Sequence, residues 1–198
     1  MTVFIHPSAV VDEGAVIGQH TKIWHFCHVM GKARIGAQCS LGQNVFVADH
    51  VVMGNHCKIQ NNVSLYEGLI LEDYVFCGPS MVFTNVKVPR AAYPRANSTY
   101  TQTLIKRSST IGANATIVCG VTLGECAFIA AGAVVTKDVP AYAQITGVPG
   151  RITGWRGETG DLLKFDEQGR ARDSAGFCYE LLNGEKVRLI SASEPGSR

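Results

Sequence analysis

From His50 to Arg90 the chain becomes dense in side chains able to hold a polar molecule: Asn61, Asn62, Tyr66, Glu67, Asn85 and Arg90. A carboxamide both donates and accepts, a carboxylate only accepts, and a guanidinium makes paired bonds to carboxylate or phosphate. Their spacing gives them a common address. Asn61 and Asn62 follow Gln43 and Asn44 by eighteen residues, with His25 before and Ser80 after; Glu67 follows Asp49 and precedes Asn85 by the same interval. A fold that returns every eighteen residues stacks these groups into columns around one bound molecule. Arg95, Tyr93, Tyr100, Lys106 and Arg107 follow closely.

The chain supplies such a fold. Apolar residues recur every six positions from Ile5 through Val11, Ile17, Ile23 and onward to Phe83, fourteen times in one register. A smaller second column runs two residues ahead: Ala9, Ala15, Thr21, Cys27, Ala33, Cys39. Two residues apart means one side of a strand, so each hexad reads as a short strand with a corner after it. The fourth hexad position carries Gly14, His20, Phe26, Lys32, Gln38, Asn44, His50, His56, Asn62 and Gly68, largely types that accept left-handed backbone. Self-similarity at this period marks a parallel β-helix, with three hexads to a coil and about seven coils. On that reading Asn44 and Asn62 serve their corners, whereas Asn61, Tyr66, Glu67 and Asn85 have no such duty.

The 198 residues, 46% of them hydrophobic, permit one domain and a small appendage. A formal net charge of +2 without a basic run excludes a nucleic-acid partner. The start lacks a charged region leading to an apolar one, and no apolar window is long enough to span a membrane, which reads as a soluble cytoplasmic protein without membrane insertion. Seven cysteines without a CxxC pair argue against a zinc ribbon or a disulfide framework. Cys39 and Cys57, one coil apart, are expected as two thiols, and Cys119 and Cys126 fall on corners where exposure is expected.

The period breaks once, and residues 89–110 read as a loop inserted at the site; it resumes through Ile111, Ile117, Leu123, Ile129, Val135 and Ala141. Residues 1–150 are thus the β-helix. Residues 151–198 form a small C-terminal β-cap over the open end, with strands expected at Leu162–Asp166, Phe177–Leu182 and Lys186–Ile190 and an Asn183-Gly184 hairpin turn. Ser193–Arg198 are expected to be disordered. Trp24, His25 and His28, the exceptions in the regular first coils, read as outward groups at a subunit contact.

The segment KIQNNVSLYEGLILEDYVFCGPSMVFTNV (58 to 86) resembles the nucleotide-sugar N-acetyltransferases of the hexapeptide-repeat superfamily, in particular the UDP-2-acetamido-3-amino-2,3-dideoxy-glucuronate N-acetyltransferases of bacterial polysaccharide (O-antigen, lipopolysaccharide) biosynthesis. The resemblance covers roughly residues 3 to 155. It implies an all-β fold with a left-handed winding, a homotrimer with active sites between subunits, acetyl-CoA as cosubstrate and a UDP-amino sugar as acceptor. AAGAVVTKDVP (130 to 140) with GVPGR (147 to 151) is similar to the family's CoA stretch, which assigns Ala131, Gly132, Lys137, Val148, Pro149 and Arg151 to the cosubstrate. Asn85 is then the catalytic residue, its amide oxygen orienting the sugar amine. Asn62, Tyr66 and Glu67 would hold hydroxyls and the acetamido group, and Arg90 or Arg95 the hexuronate carboxylate or the diphosphate. The proton goes to the departing CoA sulfur, or to Glu67 or His28 as base.

Two further readings keep the fold. One changes the acceptor to a dTDP-3-amino-3,6-dideoxyhexose. The other is a γ-type carbonic anhydrase with zinc between subunits, to which His20, His50 and His56 would have to contribute; all three occupy corner positions, and no metal is assigned.

Overall fold

The computed structural model describes residues 2–93 and 101–191. Three faces wind around one apolar core. The first stacks Phe4–Ile5, Lys22–Ile23, Ser40–Leu41, Lys58–Ile59, Phe76–Cys77, Thr110–Ile111, Phe128–Ile129 and Ala143–Thr146 in parallel, with Arg151–Trp155 added antiparallel at the end. The third runs from Val16–Ile17 through Leu69–Leu71 and Thr103–Ile105 to Thr122–Leu123. Seven coils are complete, and Ala143–Thr146 begins an eighth.

The second face is divided. Val10–Val11, His28–Val29, Phe46–Val47 and Ser64–Leu65 form one ladder; Val82–Phe83, Thr116–Ile117 and Val134–Val135 form another. The division falls where the inward pair becomes Met81 and Phe83, both larger than the Val63 and Leu65 above them, and both are buried.

Each residue of the six-residue column is inward because the one before it is outward; Ile23, Leu41, Ile59, Ile111, Ile117, Leu123 and Ile129 are wholly buried. Polar members of the small column are satisfied inside. The Thr21 hydroxyl donates to the Gly36 carbonyl at 2.8 Å, and that of Ser109 to the Gly124 carbonyl at 2.9 Å. Corners take positive φ, as at His20 (62°), Asn44 (57°), His50 (61°), His56 (58°), Asn62 (61°) and Asn114 (55°). Lys32 is not among the corner residues with positive φ, against expectation. At the Gly36 corner a Cβ would meet the Gly54 carbonyl oxygen at 2.4 Å, so coils approach there as only glycine permits.

Three expectations are corrected. Thr103–Ile105 and Thr110–Ile111 are strands in register with Leu69–Leu71 and Phe76–Cys77, so the insertion ends before Thr103 rather than at residue 110. Ile105 lies six residues before Ile111 and is fully buried, which makes it the first column residue after the break. The last full coil is shortened: Val139 pairs with Leu123 and Ile145 with Ile129, so Val139, not Ala141, carries the column. In the tail Leu162–Asp166 is not a strand; the three-stranded antiparallel cap is Arg170–Arg172, Cys178–Leu182 and Lys186–Ser191, turning at Asn183 and Gly184 with φ of 51° and 72°. Residues 193–198 lie outside those described.

A polar clamp ties the cap to the coils. Arg107 of the third face's corner donates to Glu125 at 2.6 Å and to Glu158 at 2.9 Å. The Tyr142 hydroxyl donates to Glu158 at 3.1 Å, the Glu158 amide donates to the Tyr179 hydroxyl at 2.7 Å, and Tyr179 donates to Asp173 at 2.7 Å. Burial pushes both tyrosine hydroxyls up, keeping them protonated donors.

Leu41→Ala removes a wholly buried side chain between coils that cannot close without breaking register, and is expected to cost about 2–5 kcal/mol in denaturant unfolding. A loss below about 1 kcal/mol would contradict this core.

Candidate active site

Three corners link the faces, and each collects a column of side chains. The second corner, between second and third faces, carries Asp49, Glu67 and Asn85 on successive coils, with Glu67 and Asn85 on either side of the break in the second-face ladder. The inserted segment leaves this same corner directly after Asn85 and returns at Thr103. Thr84 and Thr103 brace the corner. Their hydroxyls accept the amide hydrogens of Cys119 and Gly120, each at 3.0 Å. Lys87 folds back across the corner, its Nζ 3.3 Å from where a Cβ on Gly120 would lie. Asp49 is committed: it accepts the Lys32 amide at 2.9 Å.

Tyr66 adjoins Glu67 and is exposed; its ring lies 6.1 Å from Phe46, which lies 5.6 Å from His28. That row climbs the second face away from Asn85. His28 pairs with Asp12 at 3.2 Å and stands three coils above Asn85, about 14 Å, out of reach as a base for anything Asn85 orients in the same subunit.

Asn62 is a different case. It sits on the first corner, between first and second faces, at positive φ, and accepts from the Asn44 amide at 3.1 Å. The whole second face separates it from Asn85, so the two do not line one groove of a single subunit. Asn61, expected to be without structural duty, accepts the Gln43 amide at 2.9 Å. Arg90 is exposed at the start of the insertion, where its carbonyl accepts from Tyr93. Arg95 and Tyr100 lie outside the described residues.

The cosubstrate candidates form two groups. Ala131 and Gly132 are exposed on the first corner, and Gly147–Gly150 continue that corner one coil on, with Gly150 donating to the Val134 carbonyl at 2.7 Å. Among the described residues none comes within 4 Å of where a Cβ on Gly132 would lie, so its backbone faces open space. Val148 and Pro149 are exposed beside it. Lys137 and Arg151 instead share a crevice of about 440 Å³ under the last coil, floored by Val135, Val139 and Ile145 and also lined by Asp138, whose carboxylate accepts the Thr122 amide. Two cations over an apolar floor suit a phosphate attached to a flat or apolar group.

His20 and His56 occupy the third corner and His50 the second, all at positive φ. Their types are explained by the corners. His56 also stacks on Tyr74 at 4.6 Å. Sequence reasoning passed over Lys87, because a lone lysine at the start of an insertion has no periodic signal to mark it; Trp24 and His25 it read as a subunit contact.

Comparison with known proteins gives the same repeat. The model described as bacterial transferase hexapeptide (six repeats) matches residues 14–49 and 102–137, and that described as hexapeptide repeat of succinyl-transferase matches 32–67. A dTDP-3-amino-3,6-dideoxy-alpha-D-galactopyranose 3-N-acetyltransferase from Aneurinibacillus thermoaerophilus is 38% identical over 189 residues, covering 96% of both chains. A bifunctional protein GlmU from Picosynechococcus is 31% identical over 75% of this chain, which spans only 31% of that protein. Among solved structures, the acetyltransferase domain of PglB from Neisseria gonorrhoeae in complex with acetyl coenzyme A has a TM-score of 0.50, 23% identity, and covers 76% of this chain and 57% of its own. The polySia-specific acetyltransferase NeuO has a TM-score of 0.56, 13% identity, and covers 82% and 85%. These structural likenesses concern the fold.

The thiols near these corners are sequestered. Cys119 and Cys126 are buried, contrary to expectation, and all seven cysteines are free. Burial pushes Cys77 up to about 12 and raises Cys27 and Cys126 as well; the hydrogen bond between Cys39 and Cys57 raises Cys57 and lowers Cys39, which burial shields from reagent. A thiolate-selective reagent at pH 8 is therefore expected to modify at most the half-buried Cys178 in the native protein, and the other six only after unfolding. Rapid labelling of two or more native thiols would contradict this placement.

Proposed function

The chain belongs to the bacterial hexapeptide-repeat transferases, and from that premise we propose that it is an N-acetyltransferase moving acetyl from acetyl-CoA to the 3-amino group of a dTDP-linked 3-amino-3,6-dideoxyhexose. The observation that carries this reading is the 38% likeness, end to end, to an enzyme named for that reaction. A UDP-linked 2-acetamido-3-amino-2,3-dideoxy-glucuronate is the second reading, favoured by the 58–86 segment and by an exposed Arg90 shortly after Asn85 in the chain, a candidate partner for a sugar carboxylate.

The chemistry asks for few protein groups. The amine must be neutral and held in line with the thioester carbonyl. The Asn85 amide oxygen accepts one amine N–H and so aims the lone pair. Nitrogen bonds to the carbonyl carbon, the carbon–sulfur bond breaks, and the amine proton ends on the departing sulfur. Glu67, one coil from Asn85, is the remaining acceptor for that proton and the natural partner for an acceptor hydroxyl. Exposed backbone at Ala131 and Gly132 offers hydrogen bonds to the pantetheine, and Lys137 and Arg151 offer cations to the cosubstrate's phosphates.

Asn62 and the cosubstrate corner belong to the first corner and Asn85 to the second. A homotrimer in which the second corner of one copy faces the first corner of the next brings them together. Work in the cytoplasm, where acetyl-CoA and nucleotide sugars are available, and a role in O-antigen or lipopolysaccharide assembly follow from the same acceptor.

Thiol release from acetyl-CoA against a panel of nucleotide-linked amino sugars tests the proposal: turnover with dTDP-3-amino-3,6-dideoxyhexoses above that with the UDP-hexuronate is expected, and release with none would refute it. Asn85→Ala is expected to lower kcat by about 100-fold with little change in KM for acetyl-CoA. Near wild-type turnover in that variant would remove Asn85 from the mechanism. Glu67→Gln is expected to keep most of kcat if sulfur takes the proton; loss of both kcat and the acidic limb of its pH profile would make Glu67 the base.

A further inference from the structure

A second polar hollow lies on the first corner, spanning coils two to four. It holds about 320 Å³, within the range of small-molecule sites, and is lined by Trp24, His25, Ser40, Gln43, Gln60 and Asn61. The Trp24 indole is 39% exposed and forms one wall. It is held from two sides: Phe4 packs at 5.3 Å, and the His25 ring runs parallel to it within 5° and stacks on His6 at 3.5 Å. Gly42 sets the depth, since a Cβ there would meet the Asn61 side-chain oxygen at 2.4 Å. That oxygen accepts the Gln43 amide, which leaves the Asn61 NH2 to donate. Among the described residues the side-chain amides of Gln43 and Gln60 bond to no other protein group.

Two cations flank the hollow. On the outward ladder of the first face Ser40 stands between Lys22 and Lys58, each one coil away, both exposed. Neither lysine meets a carboxylate within ion-pair distance among the described residues. Among the described residues no carboxylate lines the hollow. A planar aromatic wall, neutral amides that match N–H and C=O edges, and two unpaired ammonium groups are the complement of a nucleoside diphosphate. A neutral sugar has no use for the lysines, and inorganic pyrophosphate has none for the indole.

Its height on the prism fits this occupant. The hollow spans coils two to four, Asn85 belongs to coil five, and Ala131 and Gly132 lie on the same first corner in coil seven. A molecule with its nucleotide in the hollow would present its sugar at the level of Asn85, and the cosubstrate would approach from below. We propose that this hollow is the nucleotide seat of the acceptor: the base lies against Trp24, Gln43, Gln60 and Asn61 read its edge, and Lys22 and Lys58 hold the phosphates. The sugar then reaches Asn85 of a neighbouring copy, the one point at which the assignment rests on the proposed function.

The chain has only two tryptophans, so Trp155→Phe leaves Trp24 as the sole indole reporter. Saturable quenching of its fluorescence by dTDP or UDP is expected, with none from galactose, and the Lys22→Ala, Lys58→Ala double variant should weaken nucleotide binding at least tenfold and flatten its salt dependence. Calorimetry of dTDP with the otherwise native chain and with Gln43→Ala gives the same test without touching Trp155, and a fivefold or greater rise in Kd is expected. The assignment is overturned if no nucleotide quenches Trp24, if galactose alone does, or if pyrophosphate binds as tightly as dTDP. Full thiol release with an unchanged acceptor KM in Trp24→Ala would sink this seat and leave the acetyl transfer standing. Tight dTDP binding at Trp24 without thiol release from any amino sugar would do the reverse.

Discussion

Hydrogen bonding between the backbones of successive coils is the constraint on which everything else in this protein depends. A two-residue strand has too few contacts to persist alone, and it exists because the strands above and below complete its amides and carbonyls. The bonds recur along the chain, as from Lys22 to Cys39, Ser40 to Cys57 and Lys58 to Val75, all at 2.9 Å. They force a return after eighteen residues and so turn sequence separation into position. Gln43 meets Asn61, and Asn55 meets Asp73, for that reason and no other.

The same constraint decides where function can sit. Inward positions are taken by the core, so polar side chains converge on the outward ladders and the corners, and corners are where chain can be inserted without loss of register. The insertion after Asn85 uses this freedom: Ile105 re-enters the column directly below Leu71. Many corner groups are nevertheless spent on holding coils together. Asp49, Asn55, Asn61 and Asp73 each accept an amide of the coil above, at 2.7 to 2.9 Å. Polarity at a corner is therefore a poor sign of a ligand, and the absence of such a bond is a better one.

That distinction explains what the sequence disclosed. The period, the face to which each residue points, the burial of the cysteines in the small column and the Asn183-Gly184 hairpin follow from residue type and spacing alone. Ile105 was hidden because it stands isolated between an irregular segment and the resumed repeat, and only its partners Leu71 and Leu123 mark it as a column residue. The shortened last coil left no local trace, since Ala141 is as apolar as Val139. Asn62 and Asn85 seemed to share a groove because both lie in the polar stretch; a twenty-three-residue separation is not a multiple of eighteen, and the stacking places them on different corners.

The two ends of the prism are not alike, and the difference governs how copies can meet. At the C-terminal end the pinched coil lets Arg151–Trp155 double back against Ala143–Thr146, and the cap is locked down through Arg107, Glu158 and Tyr179. At the N-terminal end Phe4–Ile5 keeps one open edge, with both side chains over 40% exposed. Adding one coil stack onto another is a head-to-tail contact that needs both edges, and repeated it grows into a fibre. Ending the first face on an antiparallel strand removes the parallel rung that a second stack would have to extend, which disfavours that growth.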